Sequence, residues 1–277
     1  RLTWALDVQL LQQSANTQLW KRSEFLQLRG PSSAGGLESA VWPQQLKRLV
    51  VDTPLATPLE TVSWPLALQS LKFGGVFNQP ITGVAWPPCL QQVSFGDWFN
   101  KPIAAVVWPG SLQSIEFGRD FNQPIEEVVW PASFQRVQFG RNFNQPIADI
   151  VWPSFLQAVS FGEAFDEPIE GVVWPSSVQQ LSFGDYFNQP IAGVTWPASI
   201  QQLSFGYDFN QPINLVEWPT SLTRLSFELH FNQPISGVAW PPLLQQLSFG
   251  YNFDQPITGA MWPTSLEHVS FQAKFNH

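Results

Sequence analysis

From Trp42 onward the apolar positions recur with a fixed spacing, and the spacing is neither helical nor heptad. Trp-Pro occurs at Trp42, Trp64, Trp86, Trp108, Trp130, Trp152, Trp174, Trp196, Trp218, Trp240 and Trp262, each 22 residues after the last. Counted from each Trp, apolar residues hold positions +4 (Leu68, Phe134, Leu222), +7 (Leu71, Val93, Ile115), +17 (Ile81 and its equivalents) and +20, which is usually Val or Ile. Phe holds +9 from Phe73 to Phe271 and +13 from Phe77 to Phe275. Those two columns take 20 of the 23 phenylalanines, so the aromatic content belongs to the repeat and not to the chain at large. Self-similarity at such a period signals stacked units, each of which buries its apolar side only against its neighbours.

Prolines at +1 and +16 of nearly every copy rule out a long helix, since each ring removes a donor and clashes with the preceding turn. Leu181, Ser182 and Phe183 alternate as a strand does. Gly184 and its equivalents are then expected to turn the chain with positive φ. Val172, Val173 and Trp174 offer a second, shorter extended stretch that Pro175 ends. The predicted fold is all-β: a parallel β-solenoid of about eleven 22-residue coils, with short strands and little helix. Seven columns (Trp, +4, +7, +9, +13, +17 and +20) are expected to face inward, and a lone coil is not expected to stand. The Asn column (Asn78, Asn100, Asn122, Asn144, Asn188, Asn210, Asn232) reads as bend-bonding amides, with Asp166 and Asp254 as acceptable replacements. The Trp column shares the inward phase of +20 and reads as core rather than as a sugar platform.

The run Trp-Pro-x-Ser-Leu-Gln-Gln-Leu-Ser-Phe-Gly-x-x-Phe-Asn-Gln-Pro-Ile, clearest from Trp218 to Ile235 and Trp240 to Ile257, resembles the FNIP-repeat family. The resemblance extends from about Leu37 to His277 and implies a leucine-rich-repeat-like solenoid used for binding, with no reaction attached. Two departures stand out. Trp precedes Pro where similar repeats often carry Leu, and in the first copy Leu55 and Ala56 replace Phe and Asn. On this reading residues 37–277 form the repeat solenoid, its last coil incomplete, and 1–36 form an N-terminal cap or degenerate repeat. Within that segment Trp4, Leu6, Val8 and Leu10 alternate like a strand, and Phe25, Leu26 and Leu28 resemble a displaced copy.

Composition narrows the functional classes. One Cys and three His in 277 residues exclude a disulfide scaffold and Cys/His zinc modules. The net charge of −8 argues against a nucleic-acid partner. No apolar run is long enough for a membrane span. The acidic residues fall in turns and are not aligned on the strands, the three histidines have no evident nucleophile beside them, and Cys89 stands where other copies carry Ser. The expectation is a non-catalytic protein with no cofactor and no metal.

Two features point to a contact surface. Gln at +6 and Ser at +8 (Gln180, Ser182, Gln202, Ser204) make a flat polar lattice on the sheet. The two slots after each Gly vary from copy to copy, and they hold all three tyrosines. They include Trp98, Arg119, Arg141, Tyr186, Tyr207, Leu229 and Tyr251, the amphipathic and Arg side chains that anchor interfaces. Tyr207, Leu229 and Tyr251 are expected to form an apolar strip, with Arg141 facing Glu163 and Arg119 facing Asp97 between coils. The sequence therefore predicts a scaffold that binds a protein partner through the sheet face and this ridge. The alternative is a structural subunit of a larger assembly or filament, using the solenoid's flat sides and its exposed C-terminal end, where Phe271 and Phe275 lack a next coil and self-association is expected. The compartment is not legible, although a single unpaired Cys leans toward the cytoplasm.

Overall fold

The computed structural model describes residues 3–6, 18–29, 37–55 and 57–276. The chain divides into two compact units, residues 1–140 and 141–277. In the first, strands β1 (Thr3–Leu6), β2 (Phe25–Arg29), β3 (Arg48–Asp52), β4 (Ser70–Phe73), β5 (Gln92–Ser94), β6 (Ser114–Glu116) and β7 (Arg136–Gln138) pair in sequence order. In the second, β8 (Ala158–Ser160), β9 (Gln180–Ser182), β10 (Gln202–Ser204), β11 (Arg224–Ser226), β12 (Gln246–Ser248) and β13 (His268–Ser270) do the same. All of these pairings are parallel. Registers such as Leu181↔Leu203 and Leu203↔Leu225 advance by one 22-residue coil, so each unit is the expected parallel β-solenoid. A single helical turn (Gln18–Lys21) and two 3₁₀ turns (Leu37–Ser39, Leu59–Thr61) are the only helical pieces among the described residues.

At the N-terminal side, β1 pairs with β2 (Leu6↔Leu28) and β2 with β3 (Leu26↔Leu49). The second offset is 23 residues, so this region carries the same parallel ladder with a longer connection. Val8 and Leu10 lie outside the described residues.

From Leu59 to Phe253 the seven inward columns are the buried ones, while from Ile257 to Phe275 their members are half-buried or exposed. In the coil that starts at Trp174, Val178, Leu181, Phe183, Phe187, Ile191 and Val194 are buried, as is Trp174 itself. Rings stack coil upon coil: Phe183 lies 5.5 Å from Phe205 and Phe187 6.1 Å from Phe209, the planes of each pair nearly parallel. Trp196 stacks on Trp218 at 6.4 Å and meets Phe183 and Phe205 edge-on, so the Trp-bearing segment crosses the core from the strand. The indole N–H groups of Trp174, Trp196, Trp218 and Trp240 are buried without an acceptor, whereas Trp42 Nε1 donates to the Ser63 carbonyl at 2.7 Å. An orphaned donor costs about 1–3 kcal/mol. Ring burial and stacking outweigh that cost, because a Trp buries 150–250 Å² of surface in round terms.

Polar columns tie the coils together. The Asn188 side-chain oxygen accepts the Asn210 N–H at 2.9 Å and the Gln211 amide at 3.1 Å, and Asn210 serves Asn232 and Gln233 in the same way. Asp166 fills this role for Asn188. A second ladder, at +3, went unread in the sequence: Ser177 Oγ donates to the Leu156 carbonyl, Ser199 to Val178 and Ser221 to Ile200. The recurrence of Ser at that position is the signal that would have revealed it.

One expectation is corrected, and the second extended stretch is refined. Gly184 and its equivalents do not adopt positive φ; among the described residues only Gly83, Gly171, Gly237 and Gly259 do, at the far bend of the coil. What Gly184 supplies is room, because a Cβ there would sit 1.7 Å from the Gly162 carbonyl oxygen. The stretch Val172–Val173–Trp174 alternates buried and exposed as an extended chain does, yet it forms no strand. A strand needs hydrogen-bonded neighbours as well as extension.

Candidate functional site

In the second unit the +11 and +12 positions form two parallel columns along one edge of the sheet. Each +12 N–H donates to the +11 carbonyl of the coil before: Tyr186 to Glu163 (2.9 Å), Asp208 to Asp185 (2.7 Å), His230 to Tyr207 (2.8 Å) and Asn252 to Leu229 (2.9 Å). These bonds fix the ridge backbone while its side chains point to water. Tyr186, Tyr207 and Tyr251 are about half exposed, and Leu229 between the last two is half-buried. Tyr207, Leu229 and Tyr251 thus occupy consecutive rungs, and Lys274 lies 5.7 Å over the Tyr251 ring. Beside the ridge, Gln180 pairs in register with Gln202, and Ser204 Oγ donates to Ser182 Oγ at 3.0 Å. Nine of the eleven predicted contact residues therefore fall in this unit. Trp98, half exposed, and Arg119 belong to the first unit, on the equivalent columns.

The ridge carries charges of both signs, with Glu163, Asp185 and Asp208 against Arg141 and Lys274. Arg141 Nε meets Glu163 Oε2 at 2.7 Å, as the spacing of one coil suggested. Arg119 instead bonds Asp120, its own neighbour, through Nε at 2.9 Å, and Asp97 adds only a weak attraction. Asp120 receives Arg119 in a two-bond fork, Nε to Oδ1 at 2.9 Å and Nη2 to Oδ2 at 3.2 Å, and that bidentate geometry holds the guanidinium within its own coil. The Arg119 guanidinium holds the Asp120 carboxyl below the usual carboxylate range. Asp185 is pushed up, first by partial burial and then by Glu163 and Asp208, with Arg141 opposing. Glu228 is pushed up by burial and then by Asp185. Glu228 occupies a column held by glycine in most coils, Gly184 and Gly206 among them, and its neighbours in sequence gave no sign of this half-buried carboxyl.

His230 closes the row. Asn252 Nδ2 donates to its Nδ1 at 2.9 Å, which leaves Nε2 to carry the proton facing Asp208, 3.7 Å away. Among the described residues no three His, Cys, Asp or Glu side chains converge as metal ligands would. No helix among them is long and apolar enough to cross a membrane. The ridge thus combines a hydrogen-bonded backbone, half-exposed tyrosine rings and charges of both signs, Arg141 and Lys274 among the acids.

The family model described as FNIP Repeat matches residues 77–120, 99–142, 121–164, 143–186, 165–208, 187–230 and 231–274. Among solved structures, the chain is 39% identical to CroV588, described as a novel circular LRR protein. That likeness has a TM-score of 0.83 and covers 93% of this chain; the chain spans 38% of that protein's length. A leucine-rich repeat protein from Bacteroides ovatus is 10% identical, with 82% of this chain and 75% of that one covered and a TM-score of 0.21. No curated protein matches.

Proposed function

The chain belongs to the FNIP-repeat family, leucine-rich-repeat-like solenoids, and from that premise we propose that it is a non-catalytic scaffold that binds a protein partner. The contact surface is the ridge of the second unit together with the sheet face beside it. The observation that carries this reading is the pairing of a backbone locked rung by rung with exposed Tyr186, Tyr207 and Tyr251. Tyrosine brings large amphipathic area at small entropic cost, and a fixed backbone lowers the cost of ordering the surface on binding. The polar lattice of Gln180, Ser182, Gln202 and Ser204 supplies hydrogen-bonding groups at one-coil intervals alongside. With Glu163 paired to Arg141, the remaining acids Asp185, Asp208 and Glu228 outnumber Lys274 and favour a basic patch on the partner.

The test is affinity capture with the full chain and with a Tyr186→Ala/Tyr207→Ala/Tyr251→Ala variant of matched thermal midpoint. The captured protein is then titrated against both. The expected result is a saturable partner whose affinity falls at least about 100-fold in the variant, the scale of several anchor truncations. Equal affinity for the variant overturns the reading.

A further inference from the structure

The Trp-bearing side of the coil, across the core from the sheet, carries an apolar strip that the solenoid does not need. Position +21, just before each Trp, points outward. In the second unit Val151 is 84% exposed and Val173 77%, and Phe155, standing where most copies have Ser, is 62% exposed. Val151, Trp152, Val173 and Pro175 line an open groove of about 450 Å³ that also includes Asp149. Contiguous exposed apolar surface on a soluble domain marks contact sites.

The strip and its charges coincide copy by copy. Where +21 is Val in this unit, the adjoining +18 or +19 position is acidic: Asp149 before Val151 and Glu170 before Val173. In the next copies +21 becomes Thr195, Glu217 and Ala239, and the positions beside it become Ala192, Gly193, Asn214, Leu215, Ser236 and Gly237, so the one acid there is Glu217, which itself replaces the Val. The Glu170 carboxylate reaches over the following coil, since a Cβ on Gly193 would come within 2.8 Å of its Oε1. From residue 62 to 276 no Lys or Arg occupies any column from +18 through +4, so no cation of this face neutralises these acids.

We propose that this groove is a second docking site, and that its occupant is a basic amphipathic segment of a partner protein. Apolar side chains of the segment cover Val151, Val173 and Phe155, and Lys or Arg along its edge meets Asp149 and Glu170. An anionic membrane or a nucleic acid would face carboxylates across the same distance and be repelled. The site lies on the opposite side of the core from the tyrosine ridge, so one scaffold carries two separable contact faces.

The test uses the full chain and a fluorescent amphipathic helical peptide of about 18 residues made of Leu and Lys only, read by anisotropy. Wild type is expected to bind it, with affinity falling as salt rises. Asp149→Asn/Glu170→Gln is expected to weaken binding roughly five-fold and flatten the salt dependence. Val151→Ser/Val173→Ser is expected to weaken it about ten-fold with the salt dependence kept. These side chains are exposed, so both variants keep the fold, and Tyr207→Ala leaves peptide binding unchanged. No binding by wild type, equal binding by both groove variants, loss on Tyr207→Ala, or preference for phosphatidylserine vesicles over the peptide each overturns the proposal. Failure of the ridge reading alone leaves all four measurements as expected.

Discussion

The Cβ position of Gly184 falls 1.7 Å from the carbonyl oxygen of Gly162, one coil earlier. The same approach recurs at Gly206, whose Cβ position is 2.1 Å from the Gly184 carbonyl oxygen. The coils are therefore packed backbone to backbone along this line, and the ridge is held where it is because the side chain is absent.

Gly184→Ala must push two coils apart. The expected loss is about 1–3 kcal/mol, the usual penalty for overpacking, measured as a shift of the urea midpoint. Glu228 stands in this column with a half-buried carboxyl. Glu228→Gly is therefore expected to raise the midpoint, and a fall would show that the column tolerates a Cβ freely.

Asn188 carries two bonds into the next coil, to the Asn210 N–H and the Gln211 amide. Asn188→Ala leaves a backbone donor without its acceptor and is expected to cost about 1–3 kcal/mol. Asn188→Asp keeps the acceptor, as Asp166 does one coil earlier, and is expected to lie close to wild type. Parallel thermal melts of the two variants separate loss of the acceptor from loss of shape.

Asp185 and Glu228 both have folded-state pKa values raised above their ordinary range. The folded state then binds more protons than the unfolded state between the ordinary and the raised value, so stability falls as pH rises through that window. Asp185→Asn/Glu228→Gln is expected to be more stable than wild type at pH 7 by a few tenths of a kcal/mol after solvent screening. That gain vanishes once pH drops below the ordinary carboxylate range. Melts at pH 7 and at about pH 3.5 check the sign.

Arg141 and Phe187 mark the contrast between ridge and core. The Arg141–Glu163 pair is solvent-exposed, so Arg141→Ala is expected to change stability by less than about 1 kcal/mol. Phe187 is fully buried and stacks on Phe165 and Phe209. Phe187→Ala is expected to cost about 3–5 kcal/mol, and because coils depend on their neighbours the loss spreads along the unit. Hydrogen exchange across β8–β10 reads both.

Much of the fold was legible because each repeat reports its core several times over. Phe183, Phe205 and Phe227 share a column, and one 22-residue count assigned all three to the interior. The ridge was legible for the opposite reason: Tyr186, Tyr207 and Leu229 vary where their neighbours do not. The exposed valines escaped notice, since Val172 and Val173 are alike as residues and only the pleat of the chain separates core from groove.

The amino-acid order by itself determined the period, the inward columns and the parallel stacking, because a run without insertion or deletion can bury its rings only in register. Tertiary structure alone decided how close the coils come. It made Gly184 a contact residue instead of a bend, paired Arg119 with Asp120, half-buried the carboxyl of Glu228, and left Val151 and Val173 in water. Those outcomes depend on distances between coils, and distances of a few ångströms are set by packing many columns at once rather than by any one repeat.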